Sequence, residues 1–292
     1  MAHCIVPAAE EILDKEFKVL DKGFVRLIDY LGGDDRIVQA ARVSYGEGTK
    51  SYREDAGLID SLLRHEHTSP FEQVVLTFHV KLPIFVARQW IRHRTARLNE
   101  ISGRYSIMKD EFYVPVSGDL AEQSADNKQG RSDEPMDADK AASVIERFER
   151  GQKAAYGDYS SLVEEGLARE IARINLPLSL YTEWYWQIDL HNLFRFLMLR
   201  MDAHAQKEIR LYANTMLDIT RAVAPRAVES FERNTLSAVR FTGAEMAELK
   251  RRLAAQAGTE GESGIVSTST EPLLKSKELE RFEEKLRTGK QL

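Results

Sequence analysis

The chain has 292 residues, 43% hydrophobic and 30% charged, with a formal net charge of -5. That balance excludes a disordered chain and a surface built to coat polyanions, and it fits a soluble globular protein large enough to bury a core without disulfides. The lone cysteine, Cys4, excludes an intrachain disulfide, no apolar run reaches the roughly 18 residues that span a bilayer, and Met1 to Pro7 has no secretory pattern, so a cytoplasmic protein is expected.

In chain order, Phe24 to Leu31 reads as a strand stopped by Gly32-Gly33. Asp34-Asp35 is placed to cap a helix through Val43, and a second helix runs from Glu54 to about Glu66. Val74 to Leu82 is β-branched and aromatic, hence a strand, and Pro83 suits the first turn of a helix that continues through Trp90 towards Arg92. Ser117 to Asp139 is polar and aperiodic, which predicts a long loop or a disordered insert. Helices follow at about 141–165 and 167–174, then an aromatic strand at 179–188, then helices at 190–201 and 207–223. Beyond Phe241 the chain is charged, and 275–292 predicts a loosely attached helix or disorder. The order implies an α+β fold, a mainly antiparallel sheet with packed helices in a single domain at 1–240, and a charged extension at 241–292.

Between Arg88 and Arg104 stand five arginines, Arg88, Arg92, Arg94, Arg97 and Arg104, against one acid, Glu100. They are interleaved with Trp90, Ile91, Leu98 and Ile101, which disfavours a fully wet surface. Arginine grips phosphate or carboxylate through two parallel hydrogen bonds and keeps its charge when partly buried. Asn99, Ser102 and Gly103 add short-range donors. Three readings stand on these residues: an anion pocket, a structural ion-pair network, and a nucleic-acid surface, for which one patch on an acidic chain is a small footprint. His65-Glu66-His67 lacks the i, i+4 spacing and third ligand of a zinc site, so no metal is expected.

The run Arg92-His93-Arg94-Thr95-Ala96-Arg97-Leu98-Asn99-Glu100-Ile101-Ser102-Gly103-Arg104-Tyr105 resembles the motif of the flavin-dependent thymidylate synthases, with Arg97 where that family usually has serine. The resemblance covers about Phe24 to Arg233 apart from the polar insert. It implies an enzyme that makes dTMP from dUMP, taking the one-carbon unit from methylenetetrahydrofolate and reducing equivalents from NADPH through FAD, in a homotetramer with sites shared between subunits. No nucleic-acid or membrane partner is implied. Cys4, the only thiol, lies far from every motif, which disfavours the class that adds a thiolate to uracil C6.

Carried over residue by residue, the resemblance implies flavin contacts at Arg92, His93 and Arg94, and a dUMP pocket of Gln89, Trp90, Ile91, Arg92, Glu100, Ile101, Ser102, Gly103 and Arg104, with Glu100 also facing the cofactor. His67-Thr68-Ser69-Pro70-Phe71-Glu72-Gln73 is similar to the family's His-x-Thr-Pro-Phe-Glu-His element, which implies flavin roles for Ser69 and Glu72; Gln73 replaces its histidine. Ala172-Arg173-Ile174-Asn175-Leu176-Pro177-Leu178 resembles the element whose arginine binds dUMP, here Arg173. Asp189, Leu190 and His191 fall where the family binds FAD, with aspartate in a position where asparagine is frequent. Arg195 and Arg200 sit in a segment apolar nearly all round, where arginine needs either a buried carboxylate or a ligand. The resemblance implies a flavin contact for Arg195, often asparagine in the family, and a dUMP contact for Arg200, with His204 near the flavin. Arg200 is the expected catalytic group, a cation stabilising an ionised uracil. Ser102 as a covalent nucleophile is weaker, since no base adjoins it. A nucleotide-binding protein without turnover is the other reading that Arg97, Asp189 and Arg195 leave open.

Overall fold

The computed structural model describes residues 5–43, 52–125, 130–257 and 274–289; Cys4 lies outside them. The chain forms two compact units, Met1–Ser230 and Phe231–Leu292. In chain order the first contains α1 (Pro7–Glu10), β1 (Phe17–Val19), β2 (Gly23–Leu31), α2 (Asp34–Arg42), α3 (Tyr52–Arg64), β3 (Val75–Pro83), α4 (Ile84–Trp90) and β4 (Arg97–Glu100). It continues with β5 (Ala121–Gln123), β6 (Arg131–Pro135), α5 (Ala138–Glu164), α6 (Arg169–Ala172), β7 (Tyr181–Asp189), α7 (Leu190–Arg200) and α8 (Lys207–Val223), and ends within α9 (Pro225–Phe231).

Five strands form one antiparallel sheet in the order β1-β2-β3-β7-β4. Period-two alternation sends Leu76, Phe78, Val80 and Leu82 of β3, with Trp184, Trp186 and Ile188 of β7, to one buried face. Helices α4, α7 and α8 pack on the sheet, and the expected α+β architecture with a mainly antiparallel sheet is the one observed. Trp90 at the end of α4 is fully buried, its ring 5.3 Å from Trp186 and 4.7 Å from Phe196 of α7. Each such side chain contributes about 1.5–3 kcal/mol of burial energy. Gly23 permits a further tie: a Cβ there would stand 2.0 Å from the Tyr212 hydroxyl, which donates to the Lys81 carbonyl at 2.7 Å and fastens α8 to β3.

Several local expectations change. Asp34 does not cap its own helix, whose N-cap is Gly33. Its carboxylate instead accepts from the backbone N–H groups of Arg226 and Ala227 at 2.9 and 3.0 Å, closing the start of α9 from across the fold. The polar stretch at 117–139 is not a loop throughout. It holds the antiparallel β5–β6 hairpin and the start of α5, whose N-cap Asp137 accepts from Asp139 and Lys140 N–H. β4, inside the arginine segment, is an edge strand whose four residues are all exposed, and Ile91, Leu98 and Ile101 are 47%, 40% and 39% exposed, so the apolar interleaving does not bury the segment within one chain. α7 is not apolar all round either: Leu190, Leu193, Phe194, Phe196 and Leu197 are buried while Arg195 and Leu199 are exposed.

The second unit contains α10 (Gly243–Ala257) and α11 (Ser276–Thr288). Their charges pair with each other. The Glu248 side chain, fully buried, accepts from Arg251 and Arg252, and the Lys285 ammonium, also buried, reaches both Glu245 oxygens at 2.8 and 3.0 Å. Phe282 is fully buried with the Phe241 ring 6.0 Å away. The described part of the tail is thus helical, with its own buried ring and ion pairs. Among the described residues no helix is long and apolar enough to cross a membrane.

Removing the long-range cap should be visible in stability. Asp34→Ala is expected to cost about 1–2 kcal/mol in urea unfolding, the usual loss of a helix N-cap, with the helix content of the native state retained; an unchanged midpoint would show that water replaces the carboxylate.

Candidate functional site

The arginine segment links the end of α4 to edge strand β4, and α7 lies against its first part. Phe196 and Arg200 are four residues apart on α7 and so share a face. Phe196 packs on Trp90 and, at 4.9 Å, on the His93 ring. Arg200 then reaches over the α4 terminus, its Nε–H donating to His93 Nε2 and its Nη2 to the Gln89 carbonyl, both at 3.0 Å. Burial first, then the charges of Arg200 and Arg195, push His93 down to about 4, so the ring is neutral near neutral pH and its Nε2 is free to accept. Burial also lowers the Arg200 value. Neither partner of Arg200 is an anion, and among the described residues no carboxylate stands within ion-pair range of Arg200, Arg195, Arg92 or Arg94. The buried structural carboxylate that sequence reasoning allowed for Arg195 and Arg200 is therefore not found.

The second half of the segment is fixed at the other end of β7. Glu100 pairs with Trp184 in the sheet and its carboxylate accepts from Thr182 Oγ1 at 2.6 Å. The Ile101 N–H donates to the Glu183 carbonyl, and Ser102 closes a turn by accepting from the Arg104, Tyr105 and Ser106 N–H groups. Met108 is held by two tyrosines of α5: its N–H donates to Tyr159 Oη and its carbonyl accepts from Tyr156, both at 3.0 Å. The same small core carries Ala172 of α6, which brings Arg173 against the turn. A Cβ on Gly103 would lie 3.0 Å from both Arg173 Cδ and Met108 Sδ, so glycine permits this close approach. Arg104 is exposed and paired with Glu170 at 2.9 Å.

A third group gathers beyond the opposite end of β7. Ser69 and Glu72 precede β3, whose Val75 pairs with Asp189, and both are exposed. Glu72 accepts from Thr68 Oγ1. Asp189 is the N-cap of α7, taking the Asn192 N–H at 2.9 Å and its side-chain amide at 2.8 Å, which gives this aspartate a structural partner whatever else it meets. His191 is half-buried beside it. His204 lies in the turn after α7, its N–H and Nδ1 both on Asp202. Arg97 makes one long contact, 3.3 Å to Gln187.

The side chains of Trp90 and Leu190 are fully buried in the core, where each positions its neighbours. Most of the remaining predicted residues fall in three groups, Gln89 to Arg94 with Arg200, Glu100 to Arg104 with Arg173, and Ser69, Glu72, Asp189 and His191, while Arg195 is exposed on α7 and His204 lies in the turn after it. Among the described residues no hydrogen bond or ion pair joins one group to another. Two cavities of about 750 and 560 Å³ lie elsewhere, along the β5–β6 hairpin, and of the predicted residues only His204 borders one. Sequence reasoning missed Thr182, Glu170, Tyr156, Tyr159 and Gln206, whose amide oxygen takes the Gln89 side-chain amide. None of these carries a local signal, because each acts through a partner far along the chain.

The family described as thymidylate synthase complementing protein matches residues 26–226, and the thymidylate synthase ThyX C-terminal domain matches residues 239–292. The chain is 62% identical over 280 residues to a flavin-dependent thymidylate synthase of Treponema denticola, covering 96% of this chain and 100% of that one. It is 60% identical over 291 residues to the Treponema pallidum protein of the same description, covering 100% and 91%. Among solved structures it resembles a UMP/dUMP methylase, PolB, from Streptomyces cacaoi bound with 5-Br UMP, at 32% identity and a TM-score of 0.67 over 75% of this chain and 97% of that one.

The neutral His93 has a measurable consequence. Its folded value of about 4 lies below the ordinary 6.5, so the unfolded chain binds the proton first. The associated stability is full above about 6.5 and is lost as pH falls towards about 4. In His93→Gln, which keeps an acceptor for Arg200 but cannot titrate, thermal melting should depend less steeply on pH across that window; an identical slope would place the dependence on other groups.

Proposed function

Since the chain belongs to the flavin-dependent thymidylate synthase family, we propose that it makes dTMP from dUMP by reductive methylation, with methylenetetrahydrofolate as one-carbon donor and NADPH as reductant through FAD. The observation that carries this reading is the setting of Arg200. A guanidinium oriented by a neutral imidazole and a carbonyl is fixed in place without having its charge cancelled. A fixed cation of that kind stabilises a uracil ring ionised at its N3–C4 carbonyl edge, which raises electron density at C5. Reduced FAD, when bound, supplies hydride chemistry and removes the need for a protein nucleophile.

The other residues divide the work of binding. Arg92, Arg94 and Arg195 are exposed cations without carboxylate partners among the described residues, a donor set that fits the diphosphate of a dinucleotide cofactor. Neutral His93 accepts from Arg200 and keeps it aimed. Arg104 and Arg173 converge on the Gly103 turn, where Ser102 and backbone N–H groups complete a setting for the substrate phosphate. For Arg104 this requires the exposed pair with Glu170 to open, which costs little at the surface. Ser69, Glu72, Asp189 and His191 are the residues we assign to the far part of the flavin.

The Glu100 group and the Asp189 group are held towards opposite ends of β7, at Trp184 and Asp189, roughly 17 Å apart for five residues of strand. That separation, together with the uncovered edge of β4 and its exposed Leu98 and Ile101, supports a homotetramer in which neighbouring subunits complete each site. We place this nucleotide-biosynthetic enzyme in the cytoplasm.

Three measurements test the reading. Purified protein should be yellow and convert dUMP to dTMP with NADPH and methylenetetrahydrofolate; a colourless protein without turnover would overturn it. Arg200→Ala should keep fold and flavin yet lose turnover by roughly 10²–10³-fold, the scale of one lost transition-state charge contact. Arg104→Ala should weaken dUMP binding by about tenfold or more while leaving flavin affinity nearly unchanged; equal losses would indicate a folding defect.

A further inference from the structure

Along β7 the side chains of Thr182, Trp184, Trp186 and Ile188 share the buried face of the sheet, each no more than 2% exposed. Three of them are bulky aromatic or aliphatic groups. The β3 residues paired with the four, Leu82, Val80, Phe78 and Leu76, are aliphatic or aromatic as well. Thr182 is the hydroxyl in this block. Valine has nearly the same shape and suits a buried strand position without a polar atom to satisfy. The Thr182 hydroxyl needs a partner, and it has one among the described residues: it donates to Glu100 Oε1 at 2.6 Å.

Glu100 stands opposite Trp184 at the end of edge strand β4, so Thr182 is its diagonal neighbour on the same face of the sheet. Glu100 itself is exposed, and its second oxygen, Oε2, has no hydrogen bond or ion pair among the described residues. The next residue, Ile101, donates its N–H to the Glu183 carbonyl and leads into the turn where Gly103 meets Arg173. The carboxylate therefore borders the setting assigned above to the substrate phosphate. Left to swing, it would oppose that phosphate as one anion opposes another. Holding Oε1 on the β7 side limits the swing. We propose that Thr182 is a positioning residue for nucleotide binding: its buried hydroxyl fixes the Glu100 carboxylate and leaves Oε2 to accept from a donor group of the bound nucleotide. The proposal rests on the dUMP reading, which supplies that nucleotide. It accounts for a polar atom in the apolar face that the sheet itself does not require.

Two substitutions separate the hydroxyl from the packing. Thr182→Val keeps the shape and removes the hydroxyl; Thr182→Ser keeps the hydroxyl and removes a methyl group. Both are made in the full chain with FAD present, with dUMP binding read by titration calorimetry and stability by thermal melting. Thr182→Val should bind dUMP about tenfold more weakly, the scale of one hydrogen bond to a charged group. It should melt no lower than wild type, because Glu100 is exposed and water replaces the lost donor. Thr182→Ser should stay within about threefold of wild-type affinity and melt lower, since the missing methyl leaves a gap in the packed face. A purely structural threonine reverses the pattern, and weaker binding in Thr182→Ser than in Thr182→Val would overturn the proposal. A double-mutant cycle ties the effect to its partner: in a Glu100→Ala background, Thr182→Val should change dUMP affinity by less than about twofold. A further tenfold loss there, by the same additivity argument, would break the link to Glu100. A wild-type chain that takes up no dUMP overturns the dUMP reading together with this proposal. Wild-type binding that Thr182→Val leaves unaltered overturns this proposal alone.

Discussion

Trp90 packs its indole against Trp186 of the sheet and Phe196 of α7, and the placement of the chemistry follows from that contact. The same helix that ends in Trp90 exposes Gln89 and leads into His93. The same face of α7 that offers Phe196 offers Arg200 one turn later. With the three rings in contact, Arg200 extends over the end of α4, where the Gln89 carbonyl and His93 Nε2 meet it. An aromatic contact in the dry core thereby sets a charged contact at the edge of the site, and close packing makes the setting stiff.

The electrostatics follow a consistent division. Where arginines are structural they are neutralised, as Arg251 and Arg252 are by the buried Glu248, and Arg42 is by Asp55 at 2.6 Å. Along the segment from Arg92 to Arg97, and at Arg195 and Arg200, carboxylate partners are missing among the described residues. A chain of net charge -5 could supply them readily, so the fold leaves the positive field of this edge uncompensated among the described residues, as the proposed anion site requires.

Much of this was legible along the chain. The nine-residue strands β2, β3 and β7 showed themselves through β-branched and aromatic composition, and α8 through its 3.6-residue period; these are local patterns that burial of one face enforces. The motif from Arg92 to Tyr105 pointed to an anion site through charge alone. β4 inside it was hidden, because its residues are polar and it is held as a strand only by β7, more than eighty residues later. The hairpin in the polar insert was hidden for the same reason, since its side chains are nearly all solvent-facing and leave no apolar period. α10 was masked by its charge, which is spent on internal pairs that a composition profile cannot distinguish from a solvated tail.

The sequence by itself determined the fold class and the position of the arginine-rich segment to which we assign an anion, because periodicity and charge are properties of neighbouring residues. Only the tertiary structure decided that Trp90 and Leu190 serve the core, that Asp34 caps a helix near residue 226, that Arg173 lies against Gly103, and that Arg200 rests on neutral partners. Each of those depends on which distant residue arrives within about 3 Å, the distance that turns a polar neighbour into a hydrogen-bond partner. Such arrivals are set by packing of the whole sheet and its helices, so they leave no trace in the order of residues at either end of the contact.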